Sequence, residues 1–286
     1  TGPHNLLGVL VSGWIYSQQV MWPCRPALGV LASWRMNREA QAETAPRRPR
    51  ILVTGFNDWH GTKENLFRCR DNPSCRLLLG PECLAPPVKR DGPLPKVLRT
   101  AAPHVDWCFM TLPTIWGTAE VCDRLSFDAV FHIGLGVYDR HDCILLEDGA
   151  FNSRCSACDA SGMKCEKIID EACGQVLVNP QQSAAVKSLH AARVGEGNFE
   201  IEVRGARPDN TYICNETHFR ALQAVALSEG SAGRLQAAYF VHIPQPASAE
   251  DFDPLAQAVG EVILRLLPGS PALGAAPDRT NSSVSG

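Results

Sequence analysis

No stretch of this chain is both long and apolar enough to cross a membrane as a helix. Residues 6–11 are apolar, but Ser12, Gly13 and Ser17-Gln18-Gln19 interrupt the run well short of the ~20 residues a span needs. No basic region precedes that run, which argues against a secretory leader. Charge of one sign is also missing. Lysine and arginine together number 27 against 30 acidic residues, a net −3, so neither nucleic acid nor an anionic membrane is an expected partner. No internal repeat is visible, and no second C-x-x-C accompanies the one at Cys155-Ser156-Ala157-Cys158. Cysteine itself is plentiful, at twelve. The spacing is irregular and the chain is too long to need covalent staples, so the expectation is reduced thiols and a cytoplasmic protein.

Order begins at Ile51-Leu52-Val53-Thr54-Gly55-Phe56, a short apolar run that reads as a buried first strand. Residues 1–49 carry no comparable pattern and are expected to form an extension outside the fold. Residues 105–112 read as a second strand and 118–125 as a short helix. The run Phe127-Asp128-Ala129-Val130-Phe131-His132-Ile133-Gly134-Leu135-Gly136 has the pattern of a central parallel strand buried on both faces and opening into a loop. Residues 143–152 hold another strand candidate, and a Cys-rich loop runs from Cys155 to Cys173. Residues 180–192 have helix character, with Ala184, Ala185 and Leu189 spaced for one face. Residues 237–244 read as a last strand. The 252–267 stretch reads as an amphipathic helix burying Phe252, Leu255, Val259, Ile263 and Leu266. Alternating strands and helices imply an α/β fold: a layered α/β/α single domain over 50–267 with a mostly parallel central sheet. The Gly-, Pro- and Ser-rich tail 268–286 is expected to be disordered.

The most informative stretch is Asp209-Asn210-Thr211-Tyr212-Ile213-Cys214-Asn215-Glu216-Thr217-His218-Phe219. An alternating strand pattern (199–203) precedes it. A helical one follows, with Phe219, Leu222, Val225 and Ala226 at three-to-four spacing. Cys214 therefore falls in or just before the first turn of a helix, where free amides and the helix dipole favour a thiolate. The alternative for such a cysteine is burial in the core. The sequon Asn215-Glu216-Thr217 abuts it.

Thr54-Gly55-Phe56, Tyr212-Ile213-Cys214-Asn215 and Phe240-Val241-His242-Ile243-Pro244, in that order, resemble motifs of pyroglutamyl peptidase I, the pyrrolidone-carboxylate cysteine peptidases. Glu147-Asp148-Gly149-Ala150-Phe151-Asn152 stands where that family carries its glutamate. The resemblance spans residues 50–267. It implies a hydrolase without cofactor or metal that releases an N-terminal pyroglutamyl (5-oxoproline) residue from a peptide, and it leaves the oligomeric state open. Cys214 would be the nucleophile and His242 the proton carrier, with Glu147 orienting the imidazole. Amides at the helix start would face the oxyanion. Phe56 and Trp59 would hold the flat ring.

The chain departs from the family at several places. The family's bacterial arginine falls on Ala157, with Arg154 nearby. Asn57-Asp58 and His60 replace a proline and glycines, and Asp209-Asn210 replaces Ala-Gly. These departures support a second reading, a family fold with impaired catalysis. A third, a zinc-stabilised binding module, rests on Cys155, Cys158, Cys165 and Cys173. His218, one turn after Cys214, is an alternative base, and His132 reads as a core histidine. Because 1–49 carry neither strand pattern nor site, a chain starting at Arg48 is expected to fold and keep its activity. Loss of soluble protein on that truncation would place the boundary elsewhere.

Overall fold

The computed structural model describes residues 47–57, 72–80, 91–118, 127–137, 139–228 and 235–267. Trp59, most of the helix expected at 118–125, the bulk of the 1–49 extension and the 268–286 tail lie outside them. A seven-stranded sheet forms the middle layer, in the order β2-β1-β3-β9-β4-β8-β7. Its strands are β1 (Arg50–Phe56), β2 (Asp106–Leu112), β3 (Ala129–Val137), β4 (Cys143–Asp148), β7 (Arg193–Val194), β8 (Phe199–Gly205) and β9 (Ala237–Pro244). β5 (Ala150–Phe151) and β6 (Val176–Leu177) form a separate two-stranded ribbon.

Pairing is parallel from β2 through β1 and β3 to β9, and again between β4 and β8. It reverses at β9–β4 and at the short β7 edge. β3 and β9 lie at the centre, with parallel neighbours across their shared edge, as the near-continuous apolar runs require.

Side-chain alternation assigns the two faces. Ile51 and Val53 of β1, Phe131 and Ile133 of β3, and Tyr239, Val241 and Ile243 of β9 share one core. The helices α1 (Pro73–Leu79), α2 (Pro93–Ala101) and α5 (Phe252–Leu266) pack on this face. α5 buries all five expected residues, Phe252, Leu255, Val259, Ile263 and Leu266; each contributes roughly 1.5–3 kcal/mol of hydrophobic stabilisation. Leu52, Val130 and Ala238 point the other way, onto α4 (Ile213–Ser228) through Ala221 and Val225.

The helix α3 (Pro180–Ser188) starts where Asn179 accepts from the amides of Gln181 and Gln182, with Pro180 in its first turn. Two expectations about helix faces need correction. α3 stops at Ser188, because Leu189 and Ala192 turn the chain into β7, and it buries Gln182, Ser183 and Val186 while Ala184 is exposed. In α4, Phe219, Leu222 and Val225 are buried but Ala226 is exposed, its inward place being taken by Ala221. Alanine carries too little apolar surface to set which face turns inward.

Candidate active site

Even-numbered residues of the central strands face α4, and this is where the chemistry-bearing side chains meet. Gly134 and Gly136 of β3 lie on that face. A Cβ at Gly134 would come within 3.0 Å of Cys214 Sγ, and one at Gly136 would fall 1.6 Å from His242 Nδ1. The two glycines that end the central strand thus make room for the sulfur and the imidazole, two residues apart on one side of one strand. Cys214 sits at the second position of α4. The amides of Asn215 and Glu216 donate to the Tyr212 carbonyl at 3.0 and 3.2 Å, so the amides of Ile213 and Cys214 are the ones a helix start leaves without an intrahelical acceptor.

His242 lies on β9 in register with Gly134 on one side and with Leu145 on the other. Because β4 runs antiparallel to β9, Glu147 is the diagonal neighbour of His242 on the same face. Glu147 Oε1 lies 3.4 Å from His242 Nε2, which leaves Nδ1 on the β3 side, over Gly136. Neither ring nitrogen makes a well-formed hydrogen bond, though the Leu135 carbonyl lies close enough to favour the protonated ring; such contacts commonly tighten only when substrate is bound. Asn210 donates to the same Glu147 oxygen at 2.9 Å. Cys214, His242 and Glu147 line one narrow cleft with Asn210, Arg207 and His218.

Burial dominates the electrostatics. It pushes the Cys214 thiol up to about 12, with the Glu147 charge adding to the effect. It lowers His242 to about 3, helped by His218 and Arg204. It raises Glu147 to about 7 against the pull of Arg204, Arg207 and the Asn210 hydrogen bond. The resting pair is therefore a neutral thiol and a neutral imidazole. Desolvation works against the thiolate that the helix start favours, and it is the larger effect on this thiol. Burial also takes His218 down to about 4 and His132 to about 3. His132 is a core residue, paired through Nδ1 with Thr54 Oγ1 at 2.7 Å.

Phe56 is buried in an apolar cluster with Leu112, Trp116, Ile213 and Phe240, against which Cys214 and Tyr212 pack. It therefore lies beside the thiol, while Trp59 falls outside the described residues. The sequence reading missed Trp116, Tyr212 and Phe240 as parts of this wall. Trp116 and Tyr212 meet edge to face at 5.4 Å. Trp116 stands in a Pro- and Thr-rich turn after β2 that carries no motif, and Asn210 was visible only as part of the Asp209-Asn210 departure from the family's Ala-Gly.

Arg154 is committed elsewhere. Its guanidinium pairs with Glu216 Oε1 at 2.5 Å and donates to the carbonyls of Glu166 and Ile168 at 3.0 Å. Ala157 is exposed. The loop cysteines go separate ways: Cys155 packs on the Phe56 cluster, Cys173 packs near Phe219, and Cys158 and Cys165 are exposed. Among the described residues no three His, Cys, Asp or Glu side chains converge as a metal site, and no helix is long and apolar enough to cross a membrane. The sequon residue Asn215 is 7% exposed, and its amide bonds Phe151 N, Phe151 O and Ser153 O. A glycan has no room on it in the folded chain.

These elements define a three-layer α/β protein with a cysteine, a histidine and a glutamate gathered on one face of a mostly parallel sheet. The fold is that of the pyrrolidone carboxyl peptidases. The pyrrolidone carboxyl peptidase of the thermophilic, keratin-degrading bacterium Fervidobacterium islandicum AW-1 superimposes with a TM-score of 0.51 at 20% identity, over 77% of this chain and 98% of that one. A variant of the enzyme from the hyperthermophile Pyrococcus furiosus gives 0.51 at 20% identity, over 76% and 99%. No family model matches the sequence, and no curated protein matches it.

The Glu147 environment has a measurable consequence. With a folded pKa of about 7 against an ordinary 4.5, the folded state keeps a proton that the unfolded chain releases between those values. Stability from this group is thus present at low pH and falls as pH rises through about 7, by on the order of 3 kcal/mol. Glu147→Gln keeps an acceptor for Asn210 and removes the charge. It is expected to gain stability relative to the parent between pH 5 and pH 8, read from urea midpoints; a difference independent of pH would contradict the buried-carboxyl description.

Proposed function

We propose that this chain is a cysteine peptidase that removes an N-terminal pyroglutamyl residue by hydrolysing the amide bond that follows it. The observation that carries the reading is the seating of Cys214 and His242 over Gly134 and Gly136, with Glu147 on the far nitrogen of the imidazole. The likeness of fold supports the substrate class, since the neighbouring structures are of pyrrolidone carboxyl peptidases.

In this mechanism Cys214 Sγ attacks the pyroglutamyl carbonyl carbon while His242 takes the thiol proton. Starting from a neutral pair, proton transfer accompanies attack. The oxyanion faces the free amides at the start of α4. His242 then protonates the departing amine, leaving a thioester on Cys214. Water, activated by the same imidazole, hydrolyses the thioester and restores the thiol. Glu147 holds Nε2 and stabilises the imidazolium, so the rate rises as Glu147 ionises near pH 7.

A second reading, impaired catalysis in a retained fold, is favoured by Ala157 being exposed and Arg154 being held by Glu216. Release of a fluorescent amine from a pyroglutamyl amide separates the two. Turnover blocked by iodoacetamide supports the peptidase; a thiol that alkylates without turnover supports impairment.

Cys214→Ala is expected to abolish turnover with folding intact, and His242→Ala to be nearly as severe. Glu147→Gln should lose less, within the ~10²–10⁴-fold typical of acid–base groups, and should lose the inflection near pH 7. The Cys214/His242 double variant should be scarcely worse than Cys214→Ala. His218→Ala should be mild; a loss as large as that of Cys214→Ala, with His242→Ala active, would move the base to His218. Separately, Gly136→Ala should fold but lose most turnover, because its methyl occupies the place of His242 Nδ1. Full activity in that variant would mean the imidazole works from another position.

A further inference from the structure

Resting on the pyroglutamyl reading, we propose that the indole N–H of Trp116 donates a hydrogen bond to the lactam carbonyl oxygen of the substrate ring. That would make Trp116 the residue that distinguishes 5-oxoproline from an apolar ring of the same size.

Trp116 is 8% exposed, and its Nε1 has no hydrogen-bond partner. Trp107, at 9%, shows the usual arrangement, donating to the Ala102 carbonyl at 3.0 Å. A buried donor left without an acceptor is costly and rare in folded proteins. Among the described residues it meets no acceptor, and its buried apolar neighbours are Phe56, Leu112, Ile213 and Phe240. The hydroxyl of Tyr212, its edge-to-face neighbour, is spent on the Cys158 carbonyl at 3.1 Å.

The indole is also held in place relative to the thiol. The backbone N–H of Trp116 donates to Asp159 Oδ2 at 3.1 Å, and that of Gly117 donates to Glu216 Oε2 at 3.0 Å. Glu216 stands two residues after Cys214 in the same helical turn, so one carboxylate ties the Trp116 turn to the nucleophile. Cys214 packs against the same cluster. A flat ring lying among these aromatics beside Sγ would offer two carbonyls. The scissile one belongs to the amides at the start of α4, and the lactam oxygen is the acceptor that remains for the orphaned indole. A site built around one buried donor discriminates strongly against a ligand lacking the acceptor.

The test uses the full chain carrying Cys214→Ala, so that ligand is bound and not consumed. Two neutral ligands are compared by calorimetry: pyroglutamyl-alanine amide, and cyclopentanecarbonyl-alanine amide, which lacks the lactam. The parent is expected to prefer the lactam by about tenfold or more. Adding Trp116→Phe should weaken the lactam ligand by about tenfold, and the carbocycle by no more than about threefold.

In ¹⁵N-labelled protein retaining Trp116, its indole proton resonance should move downfield with the lactam ligand and not with the carbocycle. This readout stands even if Trp116→Phe fails to fold. Equal loss for both ligands, or an unmoved indole resonance, overturns the proposal while leaving the peptidase reading intact. A parent that binds neither ligand overturns the pyroglutamyl reading, and this inference with it.

Discussion

Two missing side chains decide what this cleft can be. On the α4 face of β3 the pattern runs Val130, His132, Gly134, Gly136, and the last two positions present bare backbone. A methyl at Gly136 would stand inside the His242 ring, and one at Gly134 would press on both Cys214 Sγ and the Phe240 ring at 3.0 Å. The first turn of α4 and the end of β9 can therefore approach β3 more closely than any other residue type would allow. Thiol and imidazole then share one side of the sheet at the carboxyl end of two parallel strands, where α/β folds gather their sites.

The same close approach sets the electrostatics. His242 and His218 are buried and Cys214 half-buried, and desolvation favours the neutral form of all three. Glu147 is the one member poised near neutrality, because Arg204, Arg207 and Asn210 partly offset its desolvation. In the proposed mechanism this neutral cleft makes proton transfer part of the attack itself, with Glu147 stabilising the cation that forms.

Short polar side chains fasten the loops to this centre. Asn215 clamps the backbone of Phe151 and Ser153, which follow Glu147 in the chain. Glu216 joins Arg154 of the Cys-rich loop to the turn holding Trp116. Asp159 ties the Cys-rich loop to the same turn. The first two start within two residues of Cys214 and the third secures the same turn, so the Cys-rich loop serves as a wall bracket of the cleft, and its sulfurs point to different surroundings.

The strands β1, β2, β3, β8 and β9, the helices α4 and α5, and the layered α/β class were legible in the sequence. Their periodicities are local and strong: Ile51–Phe56, Ala129–Val137 and Phe252–Leu266 each bury what their pattern requires. Cys214 at a helix start, and the ordered trio Glu147, Cys214 and His242, could be named from short motifs. Weakly patterned segments misled, as with Ala184 and Ala226, because an alanine has too little surface to declare a face. What only the tertiary structure decided is relational. The antiparallel pairing of β4 with β9 makes Glu147 a neighbour of His242. The glycines of β3 have a purpose only once α4 lies over them. Burial works against the ionisation that a helix start favours for a thiol. Trp116 joins the cluster against which Cys214 packs through ties from Asp159 and Glu216, 43 and 99 residues from the amides they hold. Desolvation and hydrogen-bond satisfaction depend on every neighbour in space, and a linear pattern records only neighbours along the chain.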